Sequence, residues 1–386
     1  MQVLQTIYDL TARSGGPSTC VCDLMQGLSD IKAPVELLTV RPAEGDEKNL
    51  GAGSGWLKEV AYDYRTPLKI SRNIRRVLAE SDYDVYHANT LWTDCTHSTC
   101  VHARKAGRPY VLSPHGMLYP TALAISRWKK IPMLKLWFQK DIMEAACLHV
   151  TCEQEMAHCR AFGYKGPIAV IPNAVVFPEG VEMKKEVFKD SSGRRQIGFL
   201  GRLHPIKKVE NVIYAISMLP DERRRQLSFQ IMGKYDDKYE QWLKAEVARL
   251  GLEACVEFVG FVSGEEKYGR LARLSALMVP SAQENFGMIV PEALICGTPV
   301  YASLGTPWEE LNQCDAGWWK DNEPATIAGV IEEILSLSDE QLLAKGRNGR
   351  KLVEEKYEQH KVAGMMLDLY KWILGDGEKP GFVYSL

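Results

Sequence analysis

No apolar run of about 18 residues occurs in the sequence, the length a helix needs to cross a bilayer, so no membrane span is expected. Net charge is nearly absent too. Lys and Arg number 47 against 49 Asp and Glu, a formal −2. That balance does not supply the global positive field of a nucleic-acid binder, so no nucleic-acid partner is expected. There is no short internal repeat and no low-complexity tract, which argues against solenoids and propellers. The ten cysteines include one close pair, Cys20 and Cys22, with no second pair at zinc-finger spacing. They read as reduced thiols rather than a metal site or a disulfide framework. The opening MQVLQTIYDL has no basic stretch and soon reaches Asp9, so it does not read as a signal peptide. A cytoplasmic protein is expected. No G-x-G-x-x-G follows a strand: Gly15-Gly16 and the run Gly51 to Gly55 both fail the spacing, which disfavours a dinucleotide oxidoreductase. No D-x-D lies between the two halves described next, and Asp236-Asp237 reads as a helix-start pair, so no metal is expected.

What is present is ample apolar content. Of 386 residues, 46% are hydrophobic and 25% charged, enough for sizeable cores in more than one domain. Apolar runs at Val3–Ile7, Val35–Val40, Asp84–Ala88 and Tyr110–Ser113 read as strands, with helical spacing over Val21–Leu28 and Leu68–Leu78 between them. Leu148–Thr151 and Ile168–Ile171 follow as short strands. Residues 178–195 are charged and punctuated by Gly and Ser, and read as a linker. A second strand–helix series then opens at Gln196–Leu200. Its later strands are Ser228–Met232, Val256–Val259, Ala276–Val279 and Pro299–Ala302. Helices are expected near 207–219, 236–250, 265–273, 287–296 and 323–337. Alternating strands and helices predict parallel α/β packing in two similar halves with a cleft between them, and ligands at the carboxyl ends of the strands. The first 175 residues carry 20 Lys and Arg against 17 Asp and Glu, so the first half is mildly basic and the rest mildly acidic.

The candidate chemistry sits just after strands. Gly201-Arg202-Leu203-His204-Pro205-Ile206-Lys207-Lys208 follows one and precedes a helix. A glycine there lets a ligand approach the backbone, and Arg202 and Lys207 add two positive charges, which suits a phosphate. A solvated basic turn is the alternative. Glu284-Asn285-Phe286-Gly287-Met288 follows another strand, with Glu292 inside the next helix. Gly287 and Met288 would offer backbone N–H groups, and two carboxylates would accept from sugar or ribose hydroxyls. Ser113-Pro114-His115-Gly116 puts a histidine after a third strand, with a structural histidine as the alternative. His87, Asn89 and Asp94 are weaker candidates for the same region.

Taken in order, these residues resemble the retaining glycosyltransferases of family 4, whose fold is GT-B. The matching pieces are Gly15-Gly16, His115, Asn173 in Ile-Pro-Asn, Gly201-Arg202 with Lys207, the Glu284/Glu292 pair, and Gly297-Thr298-Pro299-Val300. Ser113 to Leu118 and Gly305-Thr306-Pro307-Trp308-Glu309-Glu310-Leu311 further resemble a bacterial subgroup that assembles surface polysaccharides and exopolysaccharides. The resemblance implies two Rossmann-like domains: an acceptor-binding one over 1–180 with about 365–386, where the last helix crosses back, and a donor-binding one over 190–364. It implies that Arg202 and Lys207 bind the diphosphate of a nucleotide sugar, a UDP- or GDP-sugar, and that Glu292 binds the ribose. Glu284 would contact the donor sugar near the Phe286 and Gly287 amides, and Met288 would help bind the donor. His115 would sit by the reacting sugar, Gly15 and Gly16 by the diphosphate and acceptor, and Asn173 would join the donor-binding set. Gly260, Phe261 and Val262 would lie near the base. Lys208 stands where the family often has Gly, which leaves open whether Lys207 or Lys208 makes the key contact.

The implied reaction moves a hexose-like unit, with retention and without a metal or other cofactor, to a hydroxyl of a glycan or lipid-linked glycan. A nucleotide-sugar 2-epimerase of the same architecture and a non-catalytic sugar-nucleotide-binding subunit are the alternatives. Arg127 to Phe138 mixes bases with aromatics and could rest on anionic lipid at the inner face of the cell membrane, or else pack as an ordinary core helix.

Overall fold

The structure is a computed structural model and describes residues 1–65, 68–234 and 237–386. Asp236 of the helix-start pair lies outside the described residues, as do Thr66 and Pro67. In chain order the strands are β1 (Val3–Thr6), β2 (Val35–Val40), β3 (Leu57–Val60), β4 (Val85–Asn89), β5 (Tyr110–Ser113), β6 (Cys147–Val150) and β7 (Ile168–Val170). There follow β8 (Arg195–Leu200), β9 (Leu227–Met232), β10 (Val256–Gly260), β11 (Ala276–Val279), β12 (Val300–Ser303), β13 (Gly317–Lys320) and β14 (Val383–Tyr384).

The chain forms two compact units: Met1–Val176 with Tyr357–Leu386, and Phe177–Lys356. The segment read as a linker belongs to the second unit from its start. Lys184 is buried there, and its amine donates to the Leu274 carbonyl and to Thr298 Oγ1 (3.1 Å). Burial drives the Lys184 pKa down to about 7. The return to the first unit comes at Tyr357 rather than near 365. There the Tyr357 carbonyl takes the Val175 N–H at 2.8 Å, and Glu358 caps the helix Gln359–Ile373 by accepting from the His360 and Lys361 amides.

The first unit holds a sheet in the order β14-β7-β6-β5-β4-β1-β2-β3. Its strands pair in parallel except β14, which runs antiparallel to β7. Side chains alternate between two cores. Val3, Leu37, Val85 and Val111 face one, and Leu4, Leu38, Tyr86 and Leu112 face the other. Both faces are therefore covered, as a parallel sheet requires. The helix Gln359–Ile373 covers one of them beside the helix Gly16–Asp30. Gly27 permits that approach, since a Cβ there would lie 2.7 Å from Gln359 Cγ.

The second unit holds a parallel sheet in the order β10-β9-β8-β11-β12-β13. Val209, Val212, Ile213 and Ile216 of the helix Val209–Met218 bury against Ile327, Ile331 and Ile334 of the helix Pro324–Ser336. Each unit is thus a Rossmann-like α/β domain. In each, the strand order reverses beside the first strand, between β1 and β4 and between β8 and β11, and ligands bind at such reversals.

Candidate functional site

In the second unit the loops after β8 and β11 flank the reversal. Leaving β8, Gly201 donates its N–H to the Met232 carbonyl at 3.0 Å. Gly233 must be glycine, because a Cβ there would lie 1.8 Å from the Gly201 carbonyl oxygen. Arg202 is exposed beyond this turn. His204 then starts a short helical turn, Pro205–Lys207, its Nδ1 accepting from the Ile206 N–H at 3.2 Å.

The turn settles where the two lysines go. Lys207 ends with its amine against Glu284 Oε1, and both side chains are largely buried. Lys208 turns the other way, 3.7 Å from Glu210, at φ +53°. That left-handed backbone is one that glycine adopts without strain.

Glu284 is fixed three ways. It accepts from Ser281 Oγ at 2.7 Å, pairs with Lys207, and donates its own N–H to the Gly305 carbonyl at 2.9 Å. The loop that follows is held from behind. Phe286 is buried, and its carbonyl accepts from Trp308 Nε1 at 2.6 Å. Trp308 is fully buried, so the Gly305 to Leu311 motif works as a brace behind the loop. Gly287 takes φ +79°, and Met288 precedes the helix Ile289–Ile295. Glu292 lies in its first turn, 2.8 Å from Lys267 Nζ. Burial opposes the Lys267 charge, but the adjacent Glu292 carboxylate outweighs it and raises the lysine pKa above its ordinary value. At the end of β10, Gly260 takes φ +92°, Phe261 projects into solvent and Val262 is buried.

The first unit gathers the other candidates at the carboxyl ends of its strands. Gly15 and Gly16 begin the helix Gly16–Asp30, Gly15 at φ +84°, and a Cβ at either would meet nothing within 4 Å. His115 leaves β5 at φ +50°, and its Nε2 donates to Asn89 Oδ1 at 3.0 Å. Burial, with His149 nearby, holds the His115 pKa down at about 3, so the ring is neutral. The following turn is clamped by Glu155: its carboxylate accepts from the Gly116 N–H at 2.5 Å and from the Thr151 N–H at 2.9 Å. Asn173 is half-buried in the loop after β7. Asp94 is not a ligand-facing group: it is buried at the start of the helix Asp94–Lys105 and takes the Arg75 guanidinium. His87 is fully buried.

The sequence reading missed Glu155 and Lys267. Glu155 stands third in the helix that Cys152 caps through Sγ, a variant of the capping box with sulfur in place of a hydroxyl. Lys267 had no local signal, since its partner lies in another helix. The chain's single D-x-D, Asp82-Tyr83-Asp84, lies before β4, at the opposite end of the sheet from these residues. It holds Arg108 at 2.8 and 3.7 Å. Among the described residues no three His, Cys, Asp or Glu side chains gather to hold a metal ion.

These two sets of residues coincide with two known domains. Residues 15–174 match the glycosyl transferase 4-like domain, and residues 181–352 match glycosyl transferases group 1. The chain is 26% identical over 318 residues to the MMP alpha-(1->4)-mannosyltransferase of Mycolicibacterium hassiacum, covering 79% of this chain and 75% of that protein. Its fold resembles HepE of Anabaena, solved with UDP and glucose, at TM-score 0.74 and 18% identity, over 96% of this chain and all of that one. It also resembles WaaG, a glycosyltransferase involved in lipopolysaccharide biosynthesis, at TM-score 0.68 and 15% identity, over 95% and 99% of the two chains. The chain belongs to glycosyltransferase family 4, with the GT-B fold, and is a retaining hexosyltransferase that uses a nucleotide-sugar donor.

Proposed function

We propose that the protein transfers a hexose from a UDP- or GDP-sugar to a hydroxyl of a glycan or lipid-linked glycan in the assembly of a surface polysaccharide. The carrying observation is the Lys207–Glu284 pair, seated beside Ser281 where the strand order reverses. A cation and a carboxylate held together there suit a ligand that brings both a diphosphate and sugar hydroxyls. Arg202 and Lys207 stabilise the charge that develops on the departing diphosphate, the work a divalent metal would otherwise do. Glu284 accepts from the donor sugar and Glu292 from the ribose. Gly201, Lys208, Gly287 and Met288 shape the donor loops, and Gly260, Phe261 and Val262 border the base. Asn173 joins the donor set. Gly15 and Gly16 leave room for the diphosphate and acceptor, and His115 meets the reacting sugar.

The first test is thermal-shift and calorimetric binding of UDP, GDP, ADP and their sugars, with EDTA and with Mg²⁺. One nucleotide should bind selectively and equally well in both. At 100 times its dissociation constant it adds about 2.7 kcal/mol of stability. Binding of none would remove the donor reading, and binding only with Mg²⁺ would remove the metal-independent one.

A second surface bears on location. No helix among the described residues is long and apolar enough to cross a membrane. Residues 125–140 nevertheless expose Ile125, Trp128, Ile131 and Leu136 among exposed Arg127, Lys129, Lys135 and Lys140. Pro132 does not break the segment: it lies inside the helix Arg127–Met133, and a wider turn over Leu134–Phe138 continues it. Met133, Leu134, Trp137 and Phe138 pack inward, so the segment is anchored by one side and presents the other. Exposed apolar groups ringed by cations suit an anionic leaflet, with each base contributing about 1 kcal/mol near the surface. We take this surface as a peripheral contact at the inner face of the cell membrane. The protein should float with vesicles containing phosphatidylglycerol and stay behind with neutral ones, and Trp128→Ala with Leu136→Ala should weaken flotation. Equal recovery with both vesicle types would count against the contact.

A further inference from the structure

The first unit buries a run of polar side chains that the donor chemistry does not use. His87, His149, Ser113, Gln5 and Asn89 lie in the sheet, and Tyr370 reaches them from the helix Gln359–Ile373. Burial holds His149 down at about 4 and His87 well below its ordinary value, so both rings are neutral. A neutral imidazole has one N–H and one lone pair. That fact, with one backbone carbonyl, fixes every proton in the run.

The starting point is Ile171. Its carbonyl can only accept, so His149 donates to it through Nε2 at 3.0 Å. His149 Nδ1 is then a lone pair and takes the Ser113 hydroxyl proton at 2.7 Å. Ser113 Oγ in turn accepts from His87 Nε2 at 2.6 Å. His87 Nδ1 is therefore an acceptor and receives the Tyr370 hydroxyl at 2.7 Å. Tyr370 Oη accepts from Gln5 Nε2 at 2.9 Å, which turns Gln5 Oε1 towards Asn89 Nδ2 at 3.0 Å. The same Asn89 amide group reaches the Thr6 carbonyl at 3.4 Å, which also can only accept. Asn89 Oδ1 is left facing His115 Nε2, and an amide oxygen there demands a proton on that nitrogen. Among the described residues this is the only hydrogen bond of the His115 ring.

We propose that Asn89, Gln5 and Tyr370 are positioning residues for His115: their one-way hydrogen-bond chain holds its proton on Nε2 and presents Nδ1 as a lone pair to a substrate hydroxyl. The role of the ring towards substrate rests on the transferase reading. Its proton placement does not. The chain ties the last long helix to His115 by a route that reverses only if every amide and ring in it turns over. A lone pair held in this way accepts a hydroxyl proton without the ring having to choose a tautomer when substrate arrives.

The test is nitrogen NMR of the whole chain labelled with ¹⁵N-histidine, the His115 signals being identified by their loss in His115→Gln. The wild-type ring should show a pyridine-type Nδ1 and a pyrrole-type Nε2. Tyr370→Phe, which removes the hydroxyl while keeping the ring, should move both His115 nitrogens towards averaged values, as should Asn89→Leu. Asn89→Asp keeps an acceptor at that point and should restore the pyrrole-type Nε2. In transfer assays Tyr370→Phe should lower kcat about tenfold with donor KM little changed, as expected when an interaction matters mainly in the transition state. A pyrrole-type Nδ1 in the wild type would overturn the proposal, and so would a His115 spectrum unmoved in Asn89→Leu. Should Tyr370→Phe fail to fold, those two spectra still decide it. Correct spectra in a protein without transfer activity would overturn the transferase reading and leave the proton placement standing.

Discussion

Arg202→Ala and Lys207→Ala should each lower the transfer rate by about 10²–10³, as removal of single preorganised electrostatic donors does elsewhere. The two substitutions should differ in what else they disturb. Arg202 is exposed beyond the end of β8, so its removal should leave stability within about 0.5 kcal/mol. Lys207 neutralises Glu284, whose side chain is only 13% exposed, and removing the lysine leaves that carboxylate poorly solvated without its cation. A partly buried charge stripped of its partner costs on the order of 1–3 kcal/mol. Lys207→Ala should therefore lower the melting temperature where Arg202→Ala does not, and adding Glu284→Gln should recover much of the loss. The pair would be non-additive because both substitutions act on one contact. Steady-state kinetics separate the roles. A group that acts on charge developing at the diphosphate lowers kcat more than it raises donor KM. Full activity in both single variants would overturn the assignment of these residues to the donor phosphates.

How much of this was legible in the sequence follows from where each element lies. The strands β2, β5 and β11 fall where the apolar runs placed them, because central strands of a parallel sheet are buried on both faces. The strands not anticipated, β3, β13 and β14, all lie at sheet edges. Leu57-Lys58-Glu59-Val60 has no buried position, and Val383-Tyr384 is only two residues long. Edge strands pair on one side and need little hydrophobic pattern. The segment 178–195 misled for the opposite reason. Its charges and glycines suggested a solvated linker, yet Lys184 finds its acceptors 90 and 114 residues away, at Leu274 and Thr298.

The same distinction governs the site. Residues that follow a strand, such as Gly201, Glu284 and His115, are visible because a strand end is a local signal. Residues that hold them are not. Tyr370 meets Gln5 across 365 positions, and Glu155 meets Gly116 across 39. Spacing carries no information about such contacts, because only the packed sheet brings them together. The choice between Lys207 and Lys208 was open for a related reason. It depends on the left-handed backbone at Lys208, which sends adjacent side chains to different carboxylates.

Trp308 makes the largest stability prediction. Its ring is fully buried and 5.1 Å from the Phe286 ring at 60°, and its Nε1 donates to the Phe286 carbonyl. Trp308→Ala should cost about 3–5 kcal/mol, the range for emptying a buried aromatic site. For a unit of this size each kcal/mol is roughly 2–4 °C, so the transition of the second unit should fall by on the order of 10 °C. Trp308→Phe keeps an aromatic ring and removes the N–H donor, so it should cost about 1–3 kcal/mol. Scanning calorimetry of the two variants separates packing from the hydrogen bond. The functional consequence follows from position: Gly287, one residue beyond the braced carbonyl, turns at φ +79° directly against Glu284 and Trp308, so the brace and the carboxylate share one loop. Loss of the brace should therefore weaken nucleotide-sugar binding even at temperatures where the unit stays folded, and Trp308→Phe should weaken it less. If both variants bound the donor as the wild type does, Trp308 would be a core residue only, and Glu284 would owe its position to Ser281, Lys207 and the Gly305 carbonyl.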